Sequence, residues 1–185
     1  MRREILFKAK RKNWRELPKE EWWVEGYVIP DEITGQFFIH ARWNSVNESY
    51  KIGEEGYLRF VAYEVDSETL CQYTGLTDKN GIKIWENDIL RYSYDYPGSI
   101  WLKTKRLTDA DIKYSVGAVF WQEYRGTWAV CRHGKKRMTN QDVFTYCRNP
   151  NRVEIVGNIF DNPELLEVEH GTINRTARRS CCDKR

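Results

Sequence analysis

The chain has 185 residues, a formal net charge of +3 and an aromatic content of 14%. That length permits one domain or two small ones, and it is long enough to bury a core without disulfides or metals. No apolar run approaches the roughly 20 residues that cross a bilayer, and the N-terminus opens no signal-peptide core, so we expect a soluble, cytoplasmic protein.

The excess positive charge lies in the C-terminal tail. Residues 169–185 contain five basic and two acidic residues, and taking these from the chain's 30 basic and 27 acidic residues leaves 25 of each sign. A general DNA-binding surface usually shows a clear basic excess, so the neutral body argues against that class. The tail has almost no apolar content and is predicted to be disordered.

Four strands are predicted in the N-terminal half. They cover residues 3–10, 24–29, 37–43 and 57–65. Lysines in the first strand are interpreted as solvated side chains that protect the edge of a sheet, with a ligand patch as the alternative. The fourth strand carries apolar residues on both faces, which predicts a position in the centre of a sheet or between two layers.

Two chain reversals are predicted between residues 73 and 92. Apolar runs at 73–76 and 82–85 flank Asp78-Lys79-Asn80-Gly81, and Asn-Gly favours a type I′ turn with positive φ at both central positions. The polar residues 86–88 then predict a second reversal before a strand that begins at Ile89.

The sequence around these reversals carries a family resemblance. Residues 64–90 read EVDSETLCQYTGLTDKNGIKIWENDIL. This stretch resembles the signature of the YopX family of phage and prophage proteins, with matches at Glu68, Thr69, Gln72, Tyr73, Thr74, Gly75, Leu76, Asp78, Lys79, Asn80, Gly81, Ile84, Glu86, Asp88 and Ile89. The resemblance implies a scaffold and a phage or prophage setting, but no reaction.

Two further segments agree with the family pattern, at residues 23–27 and 154–166, so the resemblance spans about residues 1–168. The chain departs from the pattern at Trp85, where tyrosine is usual, and at Asn87, where glycine is usual. Because asparagine tolerates left-handed backbone angles, we expect the turn at Asn87 to be kept.

The C-terminal half is predicted to contain an aromatic loop, a hairpin and two short helical segments. Residues 93–107 form either a binding loop or a loop packed on its own aromatic rings. Strands at 116–124 and 127–131 form the hairpin, with Trp121 and Trp128 facing neighbouring strands. A basic turn at 132–137 precedes a short helix from Thr139 to Tyr146, a closing strand at 153–159 and a helical turn after Asn162.

These elements predict a mainly β fold with one or two short helices. We expect an N-terminal β module over residues 1–66 and a small SH3-like barrel over residues 67–168, packed against each other and followed by the tail at 169–185. Such aromatic-rich β proteins often bury spare apolar faces by self-association, so a homo-oligomer is also expected.

The sequence offers few groups for catalysis. Asp78, Glu86 and Asp88 are interpreted as turn residues that bond to backbone amides, rather than as paired catalytic carboxylates. The five cysteines have no CxxC spacing and are read as reduced thiols, and no second pair completes a zinc site with Cys131 and His133. We therefore expect no enzyme activity, no metal and no cofactor.

Binding is the remaining class of function. The favoured hypothesis is a phage-type protein in the host bacterial cytoplasm that sequesters a nucleotide-like small molecule, as a counter-defence factor, between aromatic rings and basic groups. The candidate residues are Tyr94, Tyr96, Trp101, Lys103, Lys105, Arg106, Trp121, Arg125 and Trp128. The alternative is an adaptor for a host or phage protein, or for single-stranded nucleic acid, in phage regulation.

Overall fold

The computed structural model of the protein describes residues 4–42, 60–93, 100–101, 105–106, 108, 111–131, 141–147 and 152–167. Within these ranges the chain forms two antiparallel sheets, a two-stranded ribbon and one five-residue α-helix. The predicted mainly β class is confirmed. None of the helices in these ranges has the length and apolar content to span a membrane.

The strands alternate with short 3-10 turns along the chain. The elements are β1 Phe7–Lys10, β2 Trp23–Pro30, β3 Phe37–Arg42, β4 Phe60–Val65, β5 Cys71–Thr77, β6 Lys83–Trp85, β7 Asp88–Tyr92, β8 Ile100–Trp101, β9 Lys105–Arg106, β10 Ser115–Gln122, β11 Thr127–Cys131, β12 Gln141–Asp142, α1 Val143–Cys147 and β13 Val153–Asn158. The 3-10 turns are Trp14–Glu16, Lys19–Glu21, Ser67–Thr69, Glu123–Arg125 and Pro163–Leu166.

The first sheet has six strands in the order β4-β3-β2-β1-β5-β6. β1 is hydrogen-bonded on both sides, with Phe7 opposite Gly26 of β2 and Gln72 of β5. The prediction that β1 is a solvated edge strand is therefore wrong. β4 lies at the end of the sheet, so its predicted central position is wrong as well, although a single bridge joins Val65 back to Arg11.

The second sheet has five strands in the order β12-β11-β10-β7-β13. One face forms the main core, which contains Ile84, Leu90, Tyr92, Val119, Trp128, Val130, Val143, Tyr146 and Val153. The other face buries a smaller cluster, Ala118, Phe120, Ala129 and Cys131, under Ile159 and Leu166. Both faces are thus covered, which explains the nearly continuous apolar character of β10 and β11.

Neither sheet closes into a barrel within the described part of the chain, and the predicted SH3-like barrel is not confirmed. The reason lies in the signature hairpin, because β5 pairs with β1 instead of joining the C-terminal strands. Strands from both sides of the expected boundary at residues 66/67 therefore belong to one sheet.

The signature hairpin is irregular on one side. Tyr73 pairs with Trp85 and Leu76 pairs with Ile84, so Thr74 and Gly75 form a bulge. Gly75 has a φ of 83°, which favours glycine, and Thr74 Oγ1 donates to the Ile84 carbonyl at 2.7 Å. The Tyr-Thr-Gly-Leu part of the signature thus encodes a bulge that bends β5.

The tip of this hairpin differs from the predicted type I′ turn. Gly81 has a φ of 78°, but Asn80 does not have a positive φ. The amide of Gly81 donates to Asp78 O at 3.0 Å and the amide of Asp78 donates to Ile82 O at 2.9 Å, which makes a three-residue loop with glycine in the left-handed position. The Asp78 carboxylate accepts from the amides of Asn80 and Ile82. These two bonds favour the three-residue loop over the two-residue type I′ turn.

The second reversal follows its prediction. Asn87 has a φ of 65°, the left-handed conformation expected of the residue that replaces the usual glycine. Its amide donates to Val119 O at 2.9 Å, and its carbonyl accepts from Ile159 N at 3.0 Å. Asn87 therefore joins β6 and β7 while fastening the turn to β10 and to the segment after β13.

Candidate functional site

Two lysines of β1 reach from the first sheet to carboxylates of β7 and of the segment after β13. Lys8 Nζ lies 2.7 Å from Asp88 Oδ1, and the other carboxylate oxygen of Asp88 accepts from the Trp85 amide at 2.8 Å. The Lys8 ammonium also lies 5.2 Å from the Trp23 ring and 5.5 Å from the Trp85 ring. Asp88 is 2% exposed, so this pair is shielded from water.

Lys10 forms a second buried pair on the same face of β1. Its Nζ lies 2.7 Å from Asp161 Oδ1, and the residue is only 2% exposed. Three indole rings surround the ammonium at 4.0, 4.8 and 5.5 Å, those of Trp14, Trp22 and Trp23 respectively. We call the two lysines, their carboxylates and these tryptophans the lysine junction.

The lysine junction joins the three segments that carry the family resemblance. Trp23 comes from the first of these segments, Asp88 from the signature and Asp161 from the last. The Trp23 Nε1 donates to Asp161 Oδ2 at 2.9 Å, across a sequence separation of 138 residues. The carboxylates of Asp88 and Asp161 are already bonded to lysine, tryptophan and backbone groups of the protein. The lysine junction is therefore a structural connection between the first sheet and the segments that contain Asp88 and Asp161.

Asp78 makes a similar connection at the hairpin tip. Its Oδ2 accepts from the Ile155 amide at 3.3 Å, and the neighbouring Lys79 amide donates to Val153 O at 2.9 Å. The interpretation of Asp78 and Asp88 as carboxylates bonded to backbone amides is confirmed. Within the described ranges, no three His, Cys, Asp or Glu side chains are grouped so that they could hold a metal.

Burial controls the titration of the groups nearest these contacts. It raises the pKa of Asp88, although Lys8 and the Trp85 amide oppose the rise. It also raises the pKa of Cys71 and of Cys147 to about 12 each, so both thiols stay protonated and weakly nucleophilic. Cys71, Cys131 and Cys147 are free thiols, as predicted.

Asp161 provides a pH test of the lysine junction. Burial raises its pKa, but Lys10, Asn158 and Trp23 together outweigh burial, and the pKa is lowered. The stabilisation is complete above the unfolded pKa of about 3.9 and is lost as the pH falls through the folded pKa. In the variant Asp161→Asn, we expect the free energy of unfolding to change less with pH below about 4 than it does in the wild type. Equal slopes for wild type and variant in urea titrations at several pH values would contradict this expectation.

The second cluster lies where β10 turns into β11. Trp121 and Trp128 are directly opposite each other, and their rings meet edge to face with centroids 5.0 Å apart. Trp128 is 6% exposed, whereas Trp121 is 40% exposed. The predicted hairpin is confirmed, although its first strand ends at Gln122 and not at residue 124, and the observed pairing of Trp121 with Trp128 leaves one indole exposed to solvent beside a buried one.

The turn between the two strands adds exposed groups. Tyr124 is 75% exposed in the 3-10 turn, and Arg125 beside it is also exposed. Gly126 closes the turn with a φ of 59°, in the left-handed region. Inside the hairpin, Trp128 Nε1 is buried and has no hydrogen-bond acceptor among the residues that the structure describes.

Phe144 of α1 lies near the same turn. Asp142 accepts from the Thr127 hydroxyl at 2.9 Å and from the Phe144 amide at 2.7 Å, which places Phe144 beside the start of β11. Asp142 thus caps α1, whereas the predicted helix began at Thr139, outside the described residues, with Asp142 in its first turn. We name the group Trp121, Tyr124, Arg125, Trp128 and Phe144 the aromatic end.

The structure tests only part of the predicted ligand site. Trp121, Arg125 and Trp128 come together at the aromatic end. Tyr94, Tyr96 and Lys103 lie outside the described residues. The side chains of Trp101, Lys105 and Arg106 do as well, although their backbones form the β8–β9 ribbon.

The sequence analysis did not include Tyr124 and Phe144 among the candidate residues. The available signal was an aromatic residue next to a predicted turn, in the case of Tyr124, and within a predicted short helix, in the case of Phe144. The sequence analysis also missed Trp14 and Trp22. They flank a short segment of mixed charge, residues 15–21, and nothing in that spacing indicates that they enclose a lysine.

Comparison with known proteins gives a family match and a likeness to solved structures. The family model described as YopX protein matches residues 36–167, more than half of the chain. No curated protein matches the chain. A crystal structure of protein EF1440 from Enterococcus faecalis is similar at 20% identity with a TM-score of 0.45, covering 88% of this chain and 98% of that one.

Proposed function

The chain belongs to the YopX family, and on that premise we propose that it acts in a phage or prophage setting as a binding protein that engages a host component without changing it chemically. The proposed ligand is a nucleotide-like small molecule, and the proposed binding site is the aromatic end. Sequestration of such a molecule in the host cytoplasm would make the protein a counter-defence factor.

One observation carries this proposal, the exposed indole of Trp121. A tryptophan that is 40% exposed on a regular strand presents a flat face, and its edge-to-face contact with Trp128 holds that face in place. Stacking of a base on such a ring contributes about 1–3 kcal/mol, and a rigid ring loses little entropy on binding.

Charge favours a small ligand over a polyanion. Arg125 is exposed in the turn next to Trp121, where its guanidinium is suited to a phosphate group. The remainder of the body has balanced charge, whereas a long nucleic acid needs a row of basic groups to displace its counterions.

The lack of catalysis is part of the proposal. Asp78 and Asp88, the signature carboxylates whose contacts are described, are bonded to backbone amides and to Lys8. The thiols of Cys71 and Cys147 remain protonated because burial raises each pKa to about 12. These groups support the fold, so binding is the activity for which the arrangement is suited.

Calorimetric titration with nucleoside monophosphates at physiological salt tests the proposal. We expect Trp121→Ala to weaken binding about tenfold or more, since the stacking contribution is lost. Tyr27→Ala, which removes an aromatic ring that is 55% exposed on the other sheet, is the control and should leave the affinity unchanged. Binding that is absent in the wild type, or equal in wild type and Trp121→Ala, would overturn the assignment.

The salt dependence of binding distinguishes a small-molecule ligand from single-stranded nucleic acid. Binding of an oligonucleotide through several phosphates should weaken steeply as salt rises, because each contact releases counterions. Binding of a mononucleotide through one phosphate should change little over the same range. A steep salt dependence with no mononucleotide binding would favour the nucleic-acid adaptor.

A protein partner is the second candidate, and the outer face of β2 favours it. Tyr27 and Ile29 lie two residues apart on that face with exposures of 55% and 47%, and Ile33 in the following turn is 95% exposed. Apolar residues grouped in this way often mark an interaction surface. Ile29→Glu should then remove a co-purifying protein while nucleotide affinity stays the same. Retention of the partner by Ile29→Glu would exclude this face.

A further inference from the structure

The outer face of β2, β3 and β4 presents aromatic and apolar side chains to solvent. Directly opposite residues share a face of a sheet, so the register places Tyr27 beside His40 and Ile29 beside Phe38. Phe38 in turn lies opposite Glu64 of β4. Tyr27 and Ile29 are 55% and 47% exposed, whereas the other face of these strands packs on a buried cluster. The outer face is thus a surface on which another segment can lie.

Negative charge is concentrated around this outer face. Residues 23–41 and 60–72 each contain three acidic residues and no lysine or arginine. The acidic residues are Glu25, Asp31 and Glu32 in the first range and Glu64, Asp66 and Glu68 in the second. Of the cations that the structure describes nearby, Lys83 pairs with Glu25 at 3.1 Å, and Lys12 borders β4, where its amide donates to Glu64 O at 2.9 Å. We name the following group the acidic face: Tyr27, Ile29, Asp31, Glu32, Ile33, Phe38 and Glu64.

The tip of the β2–β3 hairpin is the most exposed part of the acidic face. The Asp31 carboxylate accepts from the Thr34 hydroxyl at 2.6 Å and from the Ile33 amide at 2.9 Å. These bonds lower the pKa of Asp31, so its carboxylate is ionised at neutral pH. They also fix the backbone at Ile33, whose side chain is 95% exposed. The tip therefore presents an apolar side chain together with the negative charges of Asp31 and Glu32.

The tail at residues 169–185 has the opposite charge. Its five basic residues outnumber its two acidic ones, and Arg175, Arg178 and Arg179 lie within a stretch of five residues that contains no acid. A guanidinium binds a carboxylate through two parallel hydrogen bonds and also stacks on aromatic rings. Arginine therefore suits a surface that carries carboxylates and a ring together, as the acidic face does.

The segment that leads into the tail contacts the same outer face. β2 begins at Trp23, which shares this face with Tyr27 because side chains alternate along a strand. The Trp23 ring lies 5.9 Å from the Phe160 ring, and Trp23 Nε1 donates to Asp161. Tyr27 is about 13 Å farther along β2. The tail begins eight residues after Asp161 and spans about 60 Å when fully extended, so it can reach the acidic face.

From these observations we infer that the arginine segment 175–179 docks on the acidic face of the same chain. Its guanidinium groups lie over the Tyr27 ring and against the carboxylates of Glu32 and Glu64. This contact is separate from the aromatic end, so it goes beyond the proposed nucleotide binding. It makes the tail a competitor of any protein that approaches β2.

Nuclear magnetic resonance of the full chain tests the docking. The segment is neutralised by three substitutions, Arg175→Gln, Arg178→Gln and Arg179→Gln. The backbone amide signals of Tyr27, Ile29 and Ile33 should shift in this triple variant, because the tail leaves the acidic face. Salt at about 1 M should move the wild-type signals in the same direction, since it shortens the Debye length to about 3 Å. Lys113→Gln removes an exposed charge near β10 and, as the control, should leave these signals unchanged.

Limited trypsin digestion of the full chain measures the same contact from the acidic side. The double variant Glu32→Gln with Glu64→Gln should be cut after Arg179 about fivefold faster than the wild type, because two ion pairs that hold the tail are lost. The control is Glu16→Gln with Glu123→Gln, which neutralises two exposed carboxylates in 3-10 turns. This control should be cut at the wild-type rate.

Each measurement can contradict the docking. Amide signals of Tyr27, Ile29 and Ile33 that do not shift in the triple variant would overturn it, and so would a double variant that trypsin cuts at the wild-type rate. Shifts that grow with protein concentration would place the tail of a second copy on the acidic face, and docking within one chain would then be wrong. Both measurements are made without nucleotide, so their failure leaves the proposed function unaffected.

Discussion

Replacing Lys10 by methionine is expected to lower the free energy of unfolding by about 3–5 kcal/mol, the typical effect of breaking a buried ion pair. Methionine fills most of the space of the lysine side chain, but Asp161 is then left beside three indole rings without its ammonium partner. The three indoles also lose their cation, a contribution of about 2 kcal/mol when such a contact is desolvated. Urea unfolding followed by tryptophan fluorescence measures the change.

Two further variants make that measurement specific to the lysine junction. Lys12→Met removes an exposed lysine two residues away and should change the stability by less than about 0.5 kcal/mol. The double variant Lys10→Met with Asp161→Asn removes both charges, so it should recover part of the loss seen in the single variant. Strictly additive single and double effects would show that the two groups do not interact.

Expressed alone, residues 36–167 are expected not to fold, although they are the part that matches the family model. They lack β1 and β2, the two neighbouring strands that join β3 to β5 in the first sheet, and with β1 they lack Lys8 and Lys10. Asp88 and Asp161 would remain as buried carboxylates without their cations. We expect no cooperative transition in urea and a circular dichroism spectrum without strand character.

The matched comparison is the chain shortened only at its other end, residues 1–167. This variant retains both lysines and every strand of the two sheets, so it should unfold cooperatively with a midpoint near that of the full chain. Cooperative unfolding of 36–167 at a similar midpoint would contradict a central role of β1 and of the lysine junction.

Local sequence signals predicted the strands and turns well. Apolar runs rich in β-forming residues located β2, β3, β10, β11 and β13, and Asn87 adopts the left-handed conformation expected of it. These features depend on the steric preferences of residues within a few positions of each other, and those preferences can be read directly from the sequence. The type I′ prediction for Asn80-Gly81 was wrong because the Asp78 carboxylate, next to the turn, binds two loop amides.

Long-range contacts were not predictable in the same way. Lysines spaced two apart in a strand with charged neighbours indicate a solvated edge, and nothing near Lys8 in the sequence points to its partner 80 residues away. The pairing of β5 with β1, which prevents the expected barrel, depends on the same tertiary arrangement. Charged residues are buried only when a partner compensates them, and that partner comes from the fold.

The candidate site was predictable in part. The β10–β11 hairpin and the grouping of Trp121 and Trp128 with Arg125 were predicted, but the direct pairing of the two indoles was not, because it depends on the 3-10 turn Glu123–Arg125 that ends β10 at Gln122.

Tyr124 was predicted as the last residue of a strand, but it lies in the 3-10 turn Glu123–Arg125. Phe144 was missed because its place at the aromatic end depends on how β12 aligns with β11. That alignment is set by Asp142 and Thr127, a pair of polar residues with no distinctive spacing.

The most direct test of the account is native mass spectrometry of the wild-type protein and Trp121→Ala, each purified from host cells under the same conditions. The account predicts a retained small molecule of nucleotide-like mass in the wild type and its loss in Trp121→Ala, with both proteins folded. A wild-type protein that carries no small molecule, or a variant that retains the same molecule in equal amount, would contradict it.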